Sequence, residues 1–310
     1  MSEPAQRLGV VLAAAGSSRR LGFDKLFTPV LGRTVFQEGL RRILDSPLVA
    51  EVVVVTSADN QPVVVRLLPP GAPVRVILGG KERQDSVAAG LAAIDPALDY
   101  VMIQDAARPF VTPEVIEAVF AAAREYGAAV CGYPSIDTLK ETDDQKTVAR
   151  TVDRARIWAV QTPQIFSRKL LLEAYAAVAA RGQSVTDDTA AVEALGRPVA
   201  LVRHDGLNFK ITRPSDWELG WRQLFPLDAE VEENRATREH LHTMNNHLAA
   251  LIGFARVVAE QCPAGSPLRG TVDILKEAAE QADEAALAFQ RHLRGAQLRK
   301  EELRDALRAE

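Results

Sequence analysis

Within the first 228 residues of this 310-residue chain, short Val/Ile-rich runs alternate with stretches of helical periodicity. That alternation restricts the fold more than any other feature. The runs are GVVLAAAG (9–16), EVVVVT (51–56), VRVILGG (74–80), YVMIQDAARP (100–109), AAVCGYPSI (128–136) and PVALVRHD (198–205). They are nearly continuous in apolar character, which marks strands covered on both faces. Between them the spacing predicts helices over 34–46, 58–68, 83–94, 113–126, 167–181 and 186–195, with Ser167 and Thr186 as N-cap candidates for the last two. Strands and helices in this alternation predict an α/β sandwich around a mostly parallel sheet.

After Pro226 no strand-like run occurs, and CPAGSP (262–267) is the one Pro/Gly-rich break. Leu241, Met244, Leu248, Leu251, Ala255 and Val258 precede the break at 3,4 spacing; Leu268, Val272, Leu275, Ala279, Ala282, Ala286, Phe289 and Leu293 follow it at the same spacing. A 3.5-residue period on both arms predicts an antiparallel helical hairpin with a coiled-coil seam. One hairpin has too little apolar surface to stand alone, so pairing with a second into a four-helix bundle is expected. The expected division is therefore 1–228 and 229–310.

Composition excludes several classes. A net charge of −4, from 37 basic and 41 acidic residues, argues against a nucleic-acid binder driven by bulk charge. Two cysteines, Cys131 and Cys262, exclude a disulfide scaffold and fit a reducing compartment. The opening MSEPAQRLG lacks the basic and apolar regions of a secretory signal, and no apolar run approaches the ~20 residues a membrane span needs. A cytoplasmic protein without membrane or nucleic-acid partners is expected.

Chemistry concentrates at the ends of the apolar runs. In LAAAGSSRRLGFDKL (12–26) a strand leads into small residues and then into Arg19, Arg20 and Lys25. Small residues let backbone N–H groups approach an anion, and the cations add charge. The loop is neither a GxxxxGK[ST] phosphate loop nor a GxGxxG dinucleotide loop. GGKERQDSV (79–87), DAARP (105–109), DTLK (137–140), TVDR (151–154), TPQ (162–164), TDD (186–188) and NFKIT (208–212) fall at strand ends or in polar connections. In an open parallel sheet the carboxyl ends of the strands form the ligand crevice.

These segments, in this order over roughly residues 7–226, resemble the 2-C-methyl-D-erythritol 4-phosphate cytidylyltransferases. The resemblance implies a Rossmann-like nucleotidyltransferase sandwich with a protruding β-arm, a homodimer, and dependence on a divalent cation such as Mg2+. It implies transfer of CMP from CTP to the polyol phosphate in non-mevalonate isoprenoid synthesis. A cytidylyltransferase for another polyol phosphate, such as ribitol 5-phosphate, is the alternative. Ala13, Ala14, Ala15, Gly16, Gly79, Gly80, Ser86 and Ala106 match nucleotide-binding positions. Arg20, Lys25, Arg154 and Lys210 match catalytic ones; Asp105, Arg108, Thr138 and Thr162 match the remaining substrate contacts, with the metal held by Asp105 or otherwise through the substrate phosphates. The arm would run over about 135–157, as two polar strands around ETDDQK (141–146). The sequence departs from the family pattern at Ser17-Ser18, at Lys81 and at Leu207.

Residues 238–258 resemble the phosphoacceptor helix of sensor histidine kinases, with His242 at the phosphorylated position. Thr243 replaces the acidic residue that assists phosphotransfer there. A dimerisation hairpin is the favoured reading. A histidine phosphotransfer or interaction role at His242, and a metal site at His240, His242 and His247, are the alternatives.

Overall fold

The computed structural model describes residues 7–16, 24–29, 33–143, 146–224, 250–254, 257–258, 260–263 and 265–281. The chain divides into two compact units. One holds the described residues of Met1–Ser17 and Phe36–Ile211, the other those of Ser18–Val35 and Thr212–Glu310.

The first unit is built on a seven-stranded sheet. Its strands are β1 (Leu8–Ala13), β2 (Val49–Thr56), β3 (Val74–Leu78), β4 (Tyr100–Asp105), β5 (Ala128–Pro134), β8 (Trp158–Ser167) and β9 (Ala200–Arg203). Their spatial order is β3-β2-β1-β4-β8-β5-β9. The pairs β1–β2, β1–β4, β2–β3 and β5–β9 are parallel, while β8 runs antiparallel to both β4 and β5. The sheet is thus mostly parallel, as the apolar runs predict. Val10, Val11, Val52, Val53, Val101 and Ile103 are fully buried, the pattern of strands covered on both faces.

β8 is the strand that the apolar-run reading omits. Its centre, Gln161-Thr162-Pro163-Gln164, is polar and carries a proline, which cannot donate to a ladder. The structure accommodates it where pairing is already irregular: the β4 pairing ends at Ile103–Gln164, and the β5 register shifts between Val130 and Gly132. Gln161, Thr162, Pro163 and Gln164 are nonetheless all buried.

The helices are α1 (Val35–Leu44), α2 (Gln61–Leu67), α3 (Arg83–Ala93), α4 (Pro113–Tyr126), α5 (Arg168–Ala180) and α6 (Asp188–Glu193), followed by α7 (Pro214–Leu224), which the periodicity reading did not include. The helix α6 is capped by Asp187, whose carboxylate accepts from the Ala190 N–H, and not by Thr186. Asp187 has the extended backbone of an N-cap residue, and its carboxylate satisfies one of the open N–H groups of the first turn. Val87 and Leu91 of α3, Leu171, Ala174 and Val178 of α5, and Ala191 and Val192 of α6 pack with Val11, Val53, Val55 and Ile103 in one core cluster. Gly90 lets α3 lie directly on the sheet, since a Cβ there would meet the Val55 methyl at 2.9 Å.

A separate hairpin, β6 (Lys140–Thr142) with β7 (Val148–Thr151), projects from the sheet as a two-stranded antiparallel ribbon with every residue exposed. It falls within the expected arm. Ser135 and Ile157 are joined at its base by a 2.9 Å backbone hydrogen bond.

In the second unit, residues 250–254 and 269–281 are helical on either side of the CPAGSP break. Ile252 packs against Ala279 there, and Val272 is also buried. Leu251 and Leu268, placed on the seam by the heptad count, are 65% exposed. On the second arm the seam positions Val272 and Ala279 are buried, while Leu268 and Leu275 are exposed. Leu241, Met244, Leu248, Ala255, Ala282, Ala286, Phe289, Leu293 and His242 lie outside the described residues. Among the described residues no helix is long and apolar enough to cross a membrane.

Candidate active site

The chain runs β1, β2, β3 outward in one direction and then returns, so that β4 lies on the other side of β1. Strand order therefore reverses between β1 and β4, and the carboxyl ends at such a reversal form a crevice. Ala13 and Asp105, the last residues of these two strands, are direct register partners across it.

One wall comes from the β1 exit and the β3–α3 turn. Ala13 accepts from the Ala106 N–H at 3.1 Å, and the Ala14 N–H donates to Val55 at 2.8 Å, which fixes the small-residue loop against both neighbouring strands. Ala14 is buried while Gly16 is exposed. The Gly80 N–H donates to Ser86 Oγ at 3.1 Å, and Ser86 in turn donates to the Glu82 carbonyl at 3.1 Å. A Cβ on Gly79 would lie 2.5 Å from Ser86 Oγ and 3.1 Å from Ala15 Cβ. Glycine at 79 is thus what brings Ala15 and Ser86 close on the two sides of this turn. The structure places Ala13 to Gly16, Gly79, Gly80, Ser86 and Ala106 around one end of the sheet.

The floor is a charged cluster at the end of β4. Lys210 Nζ donates to Asp105 Oδ2 at 2.7 Å, and Arg83 Nη2 lies 3.4 Å from Asp105 Oδ1. Burial alone would raise the Asp105 carboxyl, but Lys210, Arg83 and Arg108 outweigh it and hold it below the ordinary aspartate value. The Asp105 N–H donates to Thr162 Oγ1 at 3.1 Å. Arg108 Nη1 donates to the Asn208 carbonyl at 2.8 Å, and Asn208 Nδ2 donates to the Thr162 carbonyl at 2.8 Å and to Gln161 Oε1 at 3.0 Å. Asp105, Arg108, Thr162 and Lys210 therefore meet in one hydrogen-bonded cluster, assembled from the end of β4, the centre of β8 and the loop after β9. The Ile211 N–H bond to the Ala107 carbonyl ties that loop down at 2.9 Å.

Arg154 and Thr138 sit elsewhere. Both are exposed on the arm, where Arg154 donates to the Ile136 carbonyl and not to the Asp105 cluster. Lys25 belongs to the second unit, in a turn where Asp24 Oδ1 accepts from the Leu26 N–H at 3.0 Å. Arg20 lies outside the described residues.

The structure also supplies residues that sequence reasoning did not single out. Arg83, on the first turn of α3, pairs at 2.7 Å with Asp188 Oδ2, and the Tyr175 hydroxyl donates to Asp188 Oδ1 at 2.6 Å. Burial opposes the Arg83 charge, but the Asp188 carboxylate more than offsets it and raises the guanidinium further above its ordinary value. Asn208 links the Thr162 and Arg108 segments. Each of Arg83, Asp188 and Asn208 lies inside a polar segment already marked at a strand end, so ERQ, TDD and NFK were the available signals.

A divalent cation was tested against these donors. Among the described residues no group of three or more His, Cys, Asp or Glu side chains is placed to hold a metal ion. A protein cage is therefore absent there. Magnesium, however, is usually held by one or two carboxylates with substrate phosphates and water supplying the rest. Both Asp105 oxygens face cations, Lys210 and Arg83, so in that mode the substrate phosphates and water would be the main ligands.

Residues 8–221 match the family model of IspD, 2-C-methyl-D-erythritol 4-phosphate cytidylyltransferase. The chain belongs to this family. It is 39% identical over 216 residues to the 2-C-methyl-D-erythritol 4-phosphate cytidylyltransferase of Symbiobacterium thermophilum, covering 68% of this chain and 90% of that protein. The Nocardia farcinica protein of the same name is 42% identical over 212 residues, covering 67% of this chain and 90% of that protein. Among solved structures, the Thermus thermophilus 2-C-methyl-D-erythritol 4-phosphate cytidylyltransferase superposes with a TM-score of 0.60 at 36% identity, covering 71% of this chain and 99% of that one. The Anaerococcus prevotii 4-diphosphocytidyl-2C-methyl-D-erythritol synthase gives a TM-score of 0.64 at 28% identity, over 71% and 99%. The family match stops at residue 221, so it carries no statement about 229–310.

Proposed function

We propose that this chain transfers CMP from CTP to 2-C-methyl-D-erythritol 4-phosphate, releasing pyrophosphate, in the crevice between the ends of β1 and β4. One observation carries the placement: a buried, ionised Asp105 at the reversal of strand order, clamped by Lys210 and ringed by Arg83 and Arg108. A cluster that sets cations around a strand-end carboxylate suits a phosphate ester and a triphosphate brought together.

In this reading the substrate phosphate attacks the α-phosphorus of CTP. A phosphorus–oxygen bond forms as the bond to pyrophosphate breaks, and no protein nucleophile takes part. The Ala13 to Gly16 loop, Gly79, Gly80, Ser86 and Ala106 form the nucleotide's seat, where backbone N–H groups and the Ser86 hydroxyl can read its polar edges. Arg20 and Lys25 are assigned to the α-phosphate, where fixed cations meet the charge that builds during in-line transfer. Lys210, Asp105, Arg108 and Thr162 orient the polyol phosphate. A divalent cation would be held through the substrate phosphates, and when bound it would supply neutralisation of the phosphate charge.

Arg154 and Thr138 are assigned to a neighbouring subunit's crevice, because the exposed arm carries them away from the Asp105 cluster of their own chain. That makes the enzyme a homodimer through the arm. The division at about residue 228 and the dimerising role of the hairpin belong to the same proposal, with the Ile252–Ala279 contact as the support for a packed hairpin. Two cysteines that are both free support a cytoplasmic setting.

The test is pyrophosphate release from CTP by the purified full chain, with 2-C-methyl-D-erythritol 4-phosphate and ribitol 5-phosphate run side by side. Release with the first and not the second is expected. Preference for ribitol 5-phosphate would replace the substrate, and release with neither would overturn the activity.

A further inference from the structure

Asp188, Arg83, Asp105 and Lys210 form a ladder of alternating charge that runs from the core out to the crevice. Asp188, the first residue of α6, is its innermost member and is fully buried. A buried carboxylate is costly unless its oxygens are partnered. Both are: Oδ1 accepts from the Tyr175 hydroxyl at 2.6 Å, and Oδ2 accepts from Arg83 Nη2 at 2.7 Å. The inner end is rigid, since Tyr175 packs in the core cluster with Leu171, Ala174, Ala191 and Val192. The outer end is not. The Lys210 side chain is 39% exposed on a flexible stem, and Asp105 Oδ2 holds its ammonium at 2.7 Å.

Arg83 is shared unequally between the two acids. The nitrogen that pairs closely with Asp188 lies 3.4 Å from Asp105 Oδ1. A guanidinium left with a single carboxylate closes readily into a paired fork that takes both oxygens. If Arg83 did so with Asp105, it would compete with Lys210 for Oδ2. We propose that Asp188, fixed by Tyr175, is a positioning residue of the transfer reaction: by holding Arg83 back it leaves Asp105 Oδ2 to Lys210, and so sets where the Lys210 ammonium stands in the crevice. Asp188 acts only through these neighbours and touches neither substrate. The inference rests on the reading of Lys210 as a residue that orients the polyol phosphate.

Two readouts on the full chain test this, one of them without turnover. In the pyrophosphate assay Asp188→Asn should lower kcat about 100-fold, the scale for a reacting group held out of position by a distant change. Arg83→Gln should lose less. In Arg83→Gln/Asp188→Asn no guanidinium competes for Asp105, so kcat should return to the level of Arg83→Gln alone. A merely structural role for Asp188 would make the double variant as slow as Asp188→Asn or slower. Acetylation of Lys210 by acetic anhydride, read peptide by peptide by mass spectrometry, should rise in Asp188→Asn and fall back in the double variant, because an amine released from Asp105 is more open to the reagent. If Asp188→Asn does not fold, as judged by circular dichroism, Tyr175→Phe against Arg83→Gln/Tyr175→Phe makes the same comparison with a smaller loss. Wild-type Lys210 labelling in a folded Asp188→Asn, or a double variant no faster than Asp188→Asn, overturns the inference. If Lys210→Met turns over at the wild-type rate, the reading of Lys210 fails and the inference falls with it. If Lys210→Met is slow and Asp188→Asn is not, the inference alone falls.

Discussion

Replacing Lys210 by methionine tests whether the Asp105 cluster is electrostatic in the way its geometry implies. Methionine keeps the length of the stem and removes the ammonium that sits 2.7 Å from Asp105 Oδ2. A hydrogen bond to a charged group contributes about 1.5–3 kcal/mol net. The Lys210 side chain is 39% exposed, so solvent screening brings the expected loss to the low end, about 1–1.5 kcal/mol at pH 7. Asp105 adds a pH signature. Its carboxyl is held below the ordinary value, so the stability it contributes is present in full above the unfolded value of about 3.9. That contribution is lost as pH falls through the lower folded value. Urea unfolding of wild type and Lys210→Met between pH 7 and pH 3 should therefore show a gap that closes on acidification below about 4. Asp105→Asn should remove most of the gap at pH 7 as well, because the two positions share one interaction. In the pyrophosphate assay kcat should fall about 100-fold, the scale for a reacting group held out of position. A gap that stays constant with pH, together with additive losses in Lys210→Met/Asp105→Asn, would refute the reasoning.

Three further outcomes are expected. Gly79→Ala places a Cβ 2.5 Å from Ser86 Oγ, so the turn must shift and KM for CTP should rise about tenfold with the fold intact by circular dichroism; an unchanged KM would remove this turn from the nucleotide's seat. Burial pushes the Cys131 thiol up to about 12, so the neutral thiol's contribution holds below the unfolded value of about 8.5 and is lost as pH rises towards 12. Unfolding free energies from pH 8.5 to 10.5 should fall by about 1.4 kcal/mol per pH unit from this group, a slope that Cys131→Ala lessens but does not abolish, since burial and Asp188 raise the Tyr175 phenol in the same direction; an identical slope in the variant counts against it. Ending the chain at residue 228 should leave CTP-dependent turnover and a dimer by light scattering in place, and a monomer would move the dimer contact to the hairpin.

The parallel core was readable because its physics is local to each strand. Six apolar runs such as EVVVVT need no partner information to be seen, and each coincides with a strand to within a few residues at its ends, although the edge strands β3 and β9 are only partly covered. β8 was not readable for the opposite reason. Its Gln-Thr-Pro-Gln centre is shaped by what the strand must present, with Thr162 Oγ1 accepting from Asp105 and Gln164 Nε2 donating to Asp187 at 3.1 Å. A strand that gives its middle to the site loses the apolar signature that identifies strands. In the hairpin, 3,4 spacing fits either residue of the adjacent apolar pair Leu251 and Ile252, and within one chain it is Ile252 that packs against Ala279.

The site divides along the same line. Asp105 stood out because it ends an apolar run, where a charge has to be explained, and Lys210 through the resemblance carried by NFKIT. Asp188 did not, although it is the more buried of the two acids. It follows Thr186-Asp187 at the start of a helix, where an acidic residue already has a sufficient local reason in capping and the helix dipole. That reason is correct for Asp187, which accepts from the Ala190 N–H, and wrong for its neighbour. Asp188 faces inward to an arginine 105 residues earlier in the chain. Of two adjacent aspartates, one is explained by the next three residues and the other only by the tertiary fold. No spacing rule separates them, because the difference lies in which side of a single helical turn meets the sheet. The residues that orient a charged site from behind are thus the ones whose local reading is most complete and least informative.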